Sequence, residues 1–156
     1  MEKSYHALVN FYTQCFERHG ATPKGVDWPR EEEAFIRHRV MLEVLRGNQL
    51  TSLLDVGCGY GALKESIDVL RVNVAYAGID LSVPLVKKAR SLHPGSAFEV
   101  RDILLDPLPP QSVDYVVMNG VLTEKRELSF EAMEQFAHTI IQAAYDTARV
   151  GIAFNM

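Results

Sequence analysis

From Leu50 onward, short apolar runs alternate with segments of helical spacing, and this alternation constrains the fold more than any other feature. The apolar runs have the composition of strands buried on both faces and cover 52–56, 74–80, 97–100, 114–119 and 150–154. Helical spacing of apolar residues predicts helices near 62–70, 84–92 and 130–148. Strands that alternate with helices predict an α/β fold, a mostly parallel sheet with helices on both faces.

Residues 1–49 precede this alternation and carry two helical patterns. The first has apolar residues at helical spacing and a glycine at its end: Tyr5, Leu8, Val9, Tyr12, Phe16 and Gly20. After a loop, the second helix is predicted from Pro29 to Arg46, with Asp27 or Trp28 as its cap and three glutamates in its first turn. We expect a helical extension over 1–49, acting as a lid over cofactor or substrate, and a core domain over 50–156.

Composition narrows the class of protein. The chain has 156 residues, of which 47% are hydrophobic and 23% charged, as in one soluble globular domain. A net charge of −4 argues against a general nucleic-acid-binding protein, which usually has a basic face. Cys15 and Cys58 have no metal-ligand spacing, so we expect no metal site, no disulfide and a cytoplasmic location. No apolar run approaches the roughly 20 residues of a membrane helix, so no membrane contact is expected.

Three glycines, Gly57, Gly59 and Gly61, directly follow the first predicted strand. Glycine accepts positive φ angles and lets a ligand approach the backbone closely. Their spacing, GxGxG, differs from the GxGxxG of dinucleotide-binding loops. Asp55 precedes the first glycine by two positions. A carboxylate there disfavours a pyrophosphate and favours a ligand that carries ammonium and sulfonium groups.

The stretch from Leu53 to Gly61, LLDVGCGYG, resembles motif I of the class I S-adenosylmethionine (SAM)-dependent methyltransferases. The resemblance implies a Rossmann-like sheet, SAM as cofactor and S-adenosylhomocysteine as product. It also implies that Asp55 faces the methionine amino group, often through water, while the backbone from Gly57 to Gly61 follows the cofactor. Cys58 holds a variable position in this loop, so we expect it near the cofactor without a chemical role.

The second predicted strand ends at Asp80, in a GIDLS stretch that resembles the second motif of the same family. A carboxylate there can accept both ribose hydroxyls, and Leu81 follows it beside the cofactor. Ser82 is a good cap for the next helix, which leaves Asp80 available for the ribose. The alternative is that Asp80 is a solvated turn residue or a helix cap.

Two further positions follow from the resemblance. Asp102, after the third strand, is expected against the adenine amino group, with the Ile103 N–H reading the ring; the alternative is a solvated loop carboxylate. The stretch DYVVMNGVL resembles the fourth motif and places Asn119 and Val121 beneath the sulfonium. Asn119 is expected either to bond the cofactor's amino group or to be a plain member of an Asn-Gly turn.

Arg39 lies about one helix before motif I, where the resemblance implies an arginine that pairs with the methionine carboxylate. Arg37 competes for this role, and an exposed helix arginine is the alternative. No group of residues identifies a general base, so the catalytic residues remain unknown. The fourth strand exits through NGVL, and not through the Asn/Asp-Pro-Pro-aromatic motif of enzymes that methylate amino groups of bases or glutamine. This favours a small-molecule acceptor, methylated by in-line displacement.

The sheet of this family runs in the order 3-2-1-4-5-7-6, and the sequence ends within the fifth predicted strand. We therefore expect strands six and seven to be missing, and favour a fragment over a complete chain. The other explanation is a partner, including a second copy, on the open edge of the fifth strand. Two other functions stay open: a non-catalytic SAM-binding module and, disfavoured by the glycine spacing, a NAD-type oxidoreductase.

Overall fold

The computed structural model describes residues 5–47 and 49–156; residues 1–4 and 48 of the expected N-terminal extension lie outside this part. The helices are α1 (His6–His19), a 3₁₀ helix (Pro23–Val26), α2 (Glu31–Leu42), α3 (Ala62–Leu70), α4 (Val83–Leu92) and α5 (Phe130–Thr147). The strands are β1 (Thr51–Val56), β2 (Val74–Asp80), β3 (Ala97–Val100), β4 (Val113–Met118) and β5 (Ala148–Phe154).

All strand pairs in the described residues are parallel, and the sheet has the order β3-β2-β1-β4-β5. The apolar strand β1 lies at its centre, between β2 and β4. The predicted strands all form, with their ends displaced by two residues at most. The α/β class and the parallel sheet predicted from the alternation are therefore confirmed, with five strands in the order of the first five family positions.

The sheet packs against helices on both of its faces, as predicted. On one face, Leu54 and Val56 of β1 join the buried residues of α1 and α5. On the other face, Leu53 of β1 joins the buried residues of α3 and α4. This alternation follows from the two-residue period of a strand, which points successive side chains to opposite faces.

The connection between the first two helices differs from the prediction. Asp27 closes the 3₁₀ helix in the left-handed conformation, with φ 63°, so neither it nor Trp28 caps α2. The N-cap is Arg30, and α2 ends at Leu42, four residues before the predicted end. Pro29 disfavours helical backbone in Trp28, and Arg30 is itself extended, with φ −138° and ψ 138°, so α2 begins at Glu31.

The carboxyl ends of β1, β2, β3 and β4 meet at one edge of the sheet, where an open α/β sheet places ligand contacts. The glycine loop follows β1 at this edge, and the other strands exit beside it. Among the described residues, no helix combines the length and the apolar character needed to cross a bilayer.

Candidate functional site

A cavity of about 500 Å³ opens at this carboxyl edge, within the size range of small-molecule and cofactor sites. Its walls come from the ends of four strands and from the N-terminal helices. Most of the residues predicted from the sequence line it: Asp55, Gly57, Cys58, Gly59, Asp80, Leu81, Asp102, Ile103, Asn119 and Val121. The structure therefore brings together residues that are up to 66 positions apart in the sequence.

The glycine loop turns sharply beneath the cavity. Gly57 and Gly59 have φ angles of 77° and 55°, which side chains with a Cβ rarely adopt. The N–H groups of Gly57 and Cys58 both donate to the Ile79 carbonyl, at 2.9 and 3.0 Å. A Cβ on Gly57 would lie 2.5 Å from Cγ2 of Val121. Gly57 thus allows the glycine loop to pack directly against the exit of β4.

Gly61, the third glycine of the loop, differs in position from Gly57 and Gly59. It does not line the cavity but stands at the N-cap of α3, with φ 89°. A Cβ on Gly61 would meet His93 Cδ2 at 2.8 Å and Phe98 Cζ at 3.1 Å. Its neighbours Tyr60 and Ala62 do line the cavity, and the third glycine itself permits close packing against His93 and Phe98.

Asp55 is buried at the end of β1 and lines the cavity. The hydroxyl of Tyr76 on β2 donates a 2.8 Å hydrogen bond to its Oδ2 atom. Burial raises the pKa of Asp55 from 3.8 to about 7, although the Tyr76 hydrogen bond acts in the opposite direction. A cation placed beside this carboxyl group would favour its charged form.

Asp80 is held by hydrogen bonds to both of its carboxylate oxygens. Gly59 N–H donates to Oδ2 and Ser82 N–H donates to Oδ1, each at 2.8 Å. Ser82 is the N-cap residue of α4, as expected, but its side chain makes no capping hydrogen bond, and its hydroxyl lies 2.7 Å from that of Thr13 on α1. Asp80 therefore binds the backbone at the start of α4 and also faces the cavity. Burial raises its pKa, and the backbone N–H groups oppose that change.

Asp102 is not the solvated loop carboxylate that the alternative described. The hydroxyl of Tyr5 donates a 2.7 Å hydrogen bond to its Oδ2 atom, and Leu104 N–H donates to Oδ1 at 2.9 Å. His6 Nε2 lies 3.5 Å from Oδ2. The start of α1 is therefore attached to the loop after β3, a contact with no signal in the sequence.

The exit of β4 is held by a residue that sequence reasoning missed. Asn155, just after β5, donates from Nδ2 to Asn119 Oδ1 at 2.9 Å and accepts from Gly120 N–H at 2.8 Å. The side-chain oxygen of Asn119 thus already has a donor. The available signal was an asparagine at the carboxyl end of an apolar strand.

Arg39 does not occupy the position expected for it. It is exposed on α2 and does not line the cavity. Arg37, the competing residue, lines the cavity, with its guanidinium carbon 4.4 Å from the ring centroid of Trp28. The reason is helical geometry, since residues two positions apart on a helix point about 200° apart. Of the two arginines, Arg37 is therefore the one on the cavity side of α2.

Side chains of the N-terminal region complete the cavity wall. Tyr12 and Trp28 line it, and a Cβ on Gly120 would lie 3.1 Å from Cζ2 of Trp28. Burial, followed by the charge of Asp27, raises the pKa of Tyr12 to about 12. Arg126 pairs with Asp27 and its guanidinium carbon lies 3.9 Å from the ring centroid of Phe11. These contacts connect α1 and the 3₁₀ helix to the loop after β4.

His38 is the only histidine among the described residues that line the cavity. Its Nδ1 lies 2.7 Å from the hydroxyl oxygen of Ser66. Burial lowers the pKa of His38 to about 4, so its ring is neutral at pH 7.

Residues 54–145 match the family model described as "Methyltransferase domain". The chain belongs to the methyltransferase domain family. This match begins in β1, includes the glycine loop and ends in α5. The family assignment and the parallel sheet together make the chain a Rossmann-like domain of the class I SAM-dependent methyltransferase type.

A relative in Mycobacterium tuberculosis (strain ATCC 25618 / H37Rv), named "Putative methyltransferase Rv1506c", is 32% identical to this methyltransferase domain over 108 residues. The alignment covers 67% of this chain and 61% of the relative. The domain thus spans about three fifths of the curated relative that it matches.

Solved structures show the same fold at low sequence identity. A SAM-dependent methyltransferase of Leishmania major has a TM-score of 0.64 and 17% identity, over 97% of this chain and 61% of that one. Phosphoethanolamine N-methyltransferase 1 of Haemonchus contortus, solved with phosphoethanolamine and S-adenosylhomocysteine, has a TM-score of 0.63 and 16% identity. That alignment covers 90% of this chain and 30% of the other.

Proposed function

We propose that this domain binds SAM in the cavity at the carboxyl edge and forms the cofactor-binding part of an enzyme that methylates a small molecule. One observation carries the proposal: Asp55, Asp80 and Asp102 belong to the exits of three neighbouring strands and line one cavity. Their spacing along the sheet suits an extended ligand with a polar group near each strand end. A loop of cavity-facing glycines beside them suits a ligand that lies close to the backbone.

Each carboxylate has a distinct role in this proposal. Asp55 binds the ammonium group of the cofactor, and Asp80 accepts the ribose hydroxyls. Asp102 faces the adenine amino group, with the Ile103 N–H beside the ring. Arg37 is the cation available for the methionine carboxylate, since it lines the same cavity.

Bound SAM would supply an activated methyl group, and the residues of this chain hold the reactants. Little covalent assistance is needed for an in-line displacement, so positioning and exclusion of water supply most of the acceleration. Hydrogen bonds hold the glycine loop and the exit of β4 in place, so these two segments can position the cofactor. Tyr12 and Trp28, from the N-terminal part of the chain, line the cavity and can shield it from water.

A cavity bounded by the N-terminal helices suits a small-molecule acceptor better than a folded macromolecule. Thr123 and Glu124, in the loop after β4, also line it. Asn119 and Val121 are proposed to lie beneath the sulfonium. Thr123 and Glu124 follow them closely in the sequence, so their polar side chains are available to bind an acceptor beside the methyl group. We therefore propose that the acceptor lies between this loop and the N-terminal helices.

The experiment is calorimetric titration of the purified chain with SAM, S-adenosylhomocysteine and NAD, followed by transfer of a labelled methyl group from SAM to a fractionated metabolite extract. Saturable binding of SAM without binding of NAD would support SAM as the cofactor. Transfer of the label to a small molecule would support methyltransferase activity. Binding without transfer would favour the second candidate, a non-catalytic SAM-binding module. NAD binding without SAM binding would overturn the proposal.

A further inference from the structure

Tyr76 touches the proposed site from outside the cavity. It lies in β2 and does not line the cavity, and its side chain is buried in the layer that also holds α3 and α4. Its ring centroid is 5.6 Å from that of Phe98, which fixes the ring within the apolar layer. A buried phenol needs a partner for its hydroxyl group. That partner is Asp55, at 2.8 Å.

The two oxygens of Asp55 have different surroundings. Oδ2 accepts the hydrogen bond of Tyr76. Within the described part of the chain, no hydrogen-bond donor reaches Oδ1, although Asp55 lines the cavity. One oxygen is therefore fixed by the protein, and the other is available to a ligand. Rotation of the carboxyl group would break the fixed bond and leave a buried phenol unpaired, which is costly.

We propose that Tyr76 is a positioning residue for ligand binding: its hydroxyl orients Asp55 so that Oδ1 binds a cationic group, of ammonium type, in the cavity. This inference rests on the proposed function, because it concerns the group that would bind the amino acid end of the cofactor. It adds a residue that neither lines the cavity nor belongs to the glycine loop. It also predicts which part of the ligand depends on that residue.

The contact between Tyr76 and Asp55 has a consequence for proton release on ligand binding. The titratable groups that act on Asp55 are Tyr76, which donates to it, and Asp80, while Cys58 adjoins it in the glycine loop. Burial holds the pKa of Asp55 at about 7, and the phenol hydrogen bond favours the charged carboxylate. A bound ammonium group favours the carboxylate further, so its binding releases a proton near neutral pH. Without the Tyr76 hydroxyl, the pKa of Asp55 should be higher.

The test compares Tyr76→Phe with Tyr115→Phe, which removes a buried phenol hydroxyl outside the cavity, where it accepts from Arg46 N–H at 3.3 Å. Both variants are titrated with S-adenosylhomocysteine and with 5′-methylthioadenosine, which lacks the amino acid portion. We expect Tyr76→Phe to weaken S-adenosylhomocysteine binding at pH 7 by at least about tenfold, as for a lost hydrogen bond to a charged group. Binding of 5′-methylthioadenosine should change by less than about twofold, and Tyr115→Phe should leave both ligands within that margin.

A second measurement needs no ligand: the pKa of Asp55 is followed by NMR of its carboxyl carbon in the wild type and in Tyr76→Phe. A higher pKa in the variant supports the positioning role, and an unchanged pKa overturns it. Equal losses for both ligands, or no loss for either, would also overturn it. If the wild-type chain binds neither ligand, the proposed function fails, while the NMR titration still decides the relation between Tyr76 and Asp55.

Discussion

The hydroxyl of Tyr5 donates a 2.7 Å hydrogen bond to the carboxylate of Asp102, 97 positions away in the sequence. It connects the start of α1 to the loop after β3, and the Tyr5 ring stacks on Phe136 at a centroid distance of 5.1 Å. The same carboxylate is the one that we propose for adenine. Asp102 therefore both holds the start of α1 and lines the part of the cavity proposed for adenine.

Tyr5→Phe should remove this connection and keep the ring. We expect a loss of about 1 kcal/mol in the free energy of unfolding, which corresponds to a melting temperature about 2–4 °C lower in a chain of this size. Amide hydrogen exchange in α1 should accelerate. Tyr145→Phe, on an exposed tyrosine of α5, is the control. Unchanged exchange in α1 would contradict the role of this bond.

Asp80→Ala should weaken SAM binding by about 1–3 kcal/mol, because buried polar groups would lose their partner. The groups affected are the ribose hydroxyls and the N–H groups of Gly59 and Ser82. The measurement is calorimetric titration with SAM. Asp68→Ala, on an exposed aspartate of α3 outside the cavity, should leave the affinity unchanged. Equal affinity in the wild type and Asp80→Ala would refute the ribose role.

Asp55→Asn should change how stability depends on pH. Burial raises the pKa of Asp55 in the folded chain from 3.8 to about 7, so the folded chain binds the proton more tightly than the unfolded chain. This contribution to stability is fully present below about pH 4 and is lost as the pH rises through about 7. The uncharged amide avoids that loss. The melting temperature of the variant relative to the wild type should therefore rise between about pH 5 and pH 8.

A melting-temperature difference that is the same at both pH values would contradict this account. The titration of His38 does not interfere, because it is common to both proteins. Its lowered pKa, about 4, means that both lose stability as the pH falls from about 6.5 toward 4. The comparison at each pH removes this shared effect.

Gly57→Ala should strain the glycine loop for two reasons. The left-handed backbone costs a residue with a Cβ about 1–2 kcal/mol, and the new methyl would lie 2.5 Å from Val121. Thermal melts and SAM titrations should both show a loss. Adding Val121→Ala should restore part of it by removing the clash. Gly95→Ala, where a Cβ meets nothing within 4 Å, is the control, and a loss of the same size there would contradict the steric explanation.

The edge of β5 predicts association between copies of this chain. In the described residues β5 pairs only with β4, and Val150 on it is 62% exposed. An unpaired apolar edge promotes strand-to-strand contact, which a charge suppresses. Concentration-dependent sedimentation should therefore be reduced by Val150→Lys and unaffected by Val69→Lys on α3. The prediction would be contradicted if the unmodified chain sediments as a monomer at every concentration.

The parts of the fold that depend on local pattern were predictable from sequence. The strands form where apolar runs occur, and Asp55 and Asp80 line one cavity because parallel strands bring their carboxyl ends together. The roles of the individual glycines could not be predicted from the sequence. Gly57 and Gly61 are equivalent by spacing, yet one faces Val121 and the other faces His93 and Phe98. Only the course of the chain after the turn separates them.

The partners in contacts between distant segments could not be identified from the sequence. Tyr5, Tyr76 and Asn155 were unassigned because their partners lie 97, 21 and 36 positions away. The choice between Arg37 and Arg39 depended on which face of α2 turns toward the cavity. That face is set by packing, and α2 has no strongly apolar stripe that would mark it in the sequence.

The hydroxyl contact between Ser82 and Thr13 joins α1 to the backbone group that Asp80 binds. In the proposed complex, the ribose and the first helix would thus be linked through two residues, Asp80 and Ser82. Coupling through them is reciprocal: the factor by which bound cofactor strengthens the seating of α1 is also the factor by which a seated α1 strengthens cofactor binding. A molecule that binds the outer face of α1 only when the helix is seated would then raise the affinity for SAM without entering the cavity.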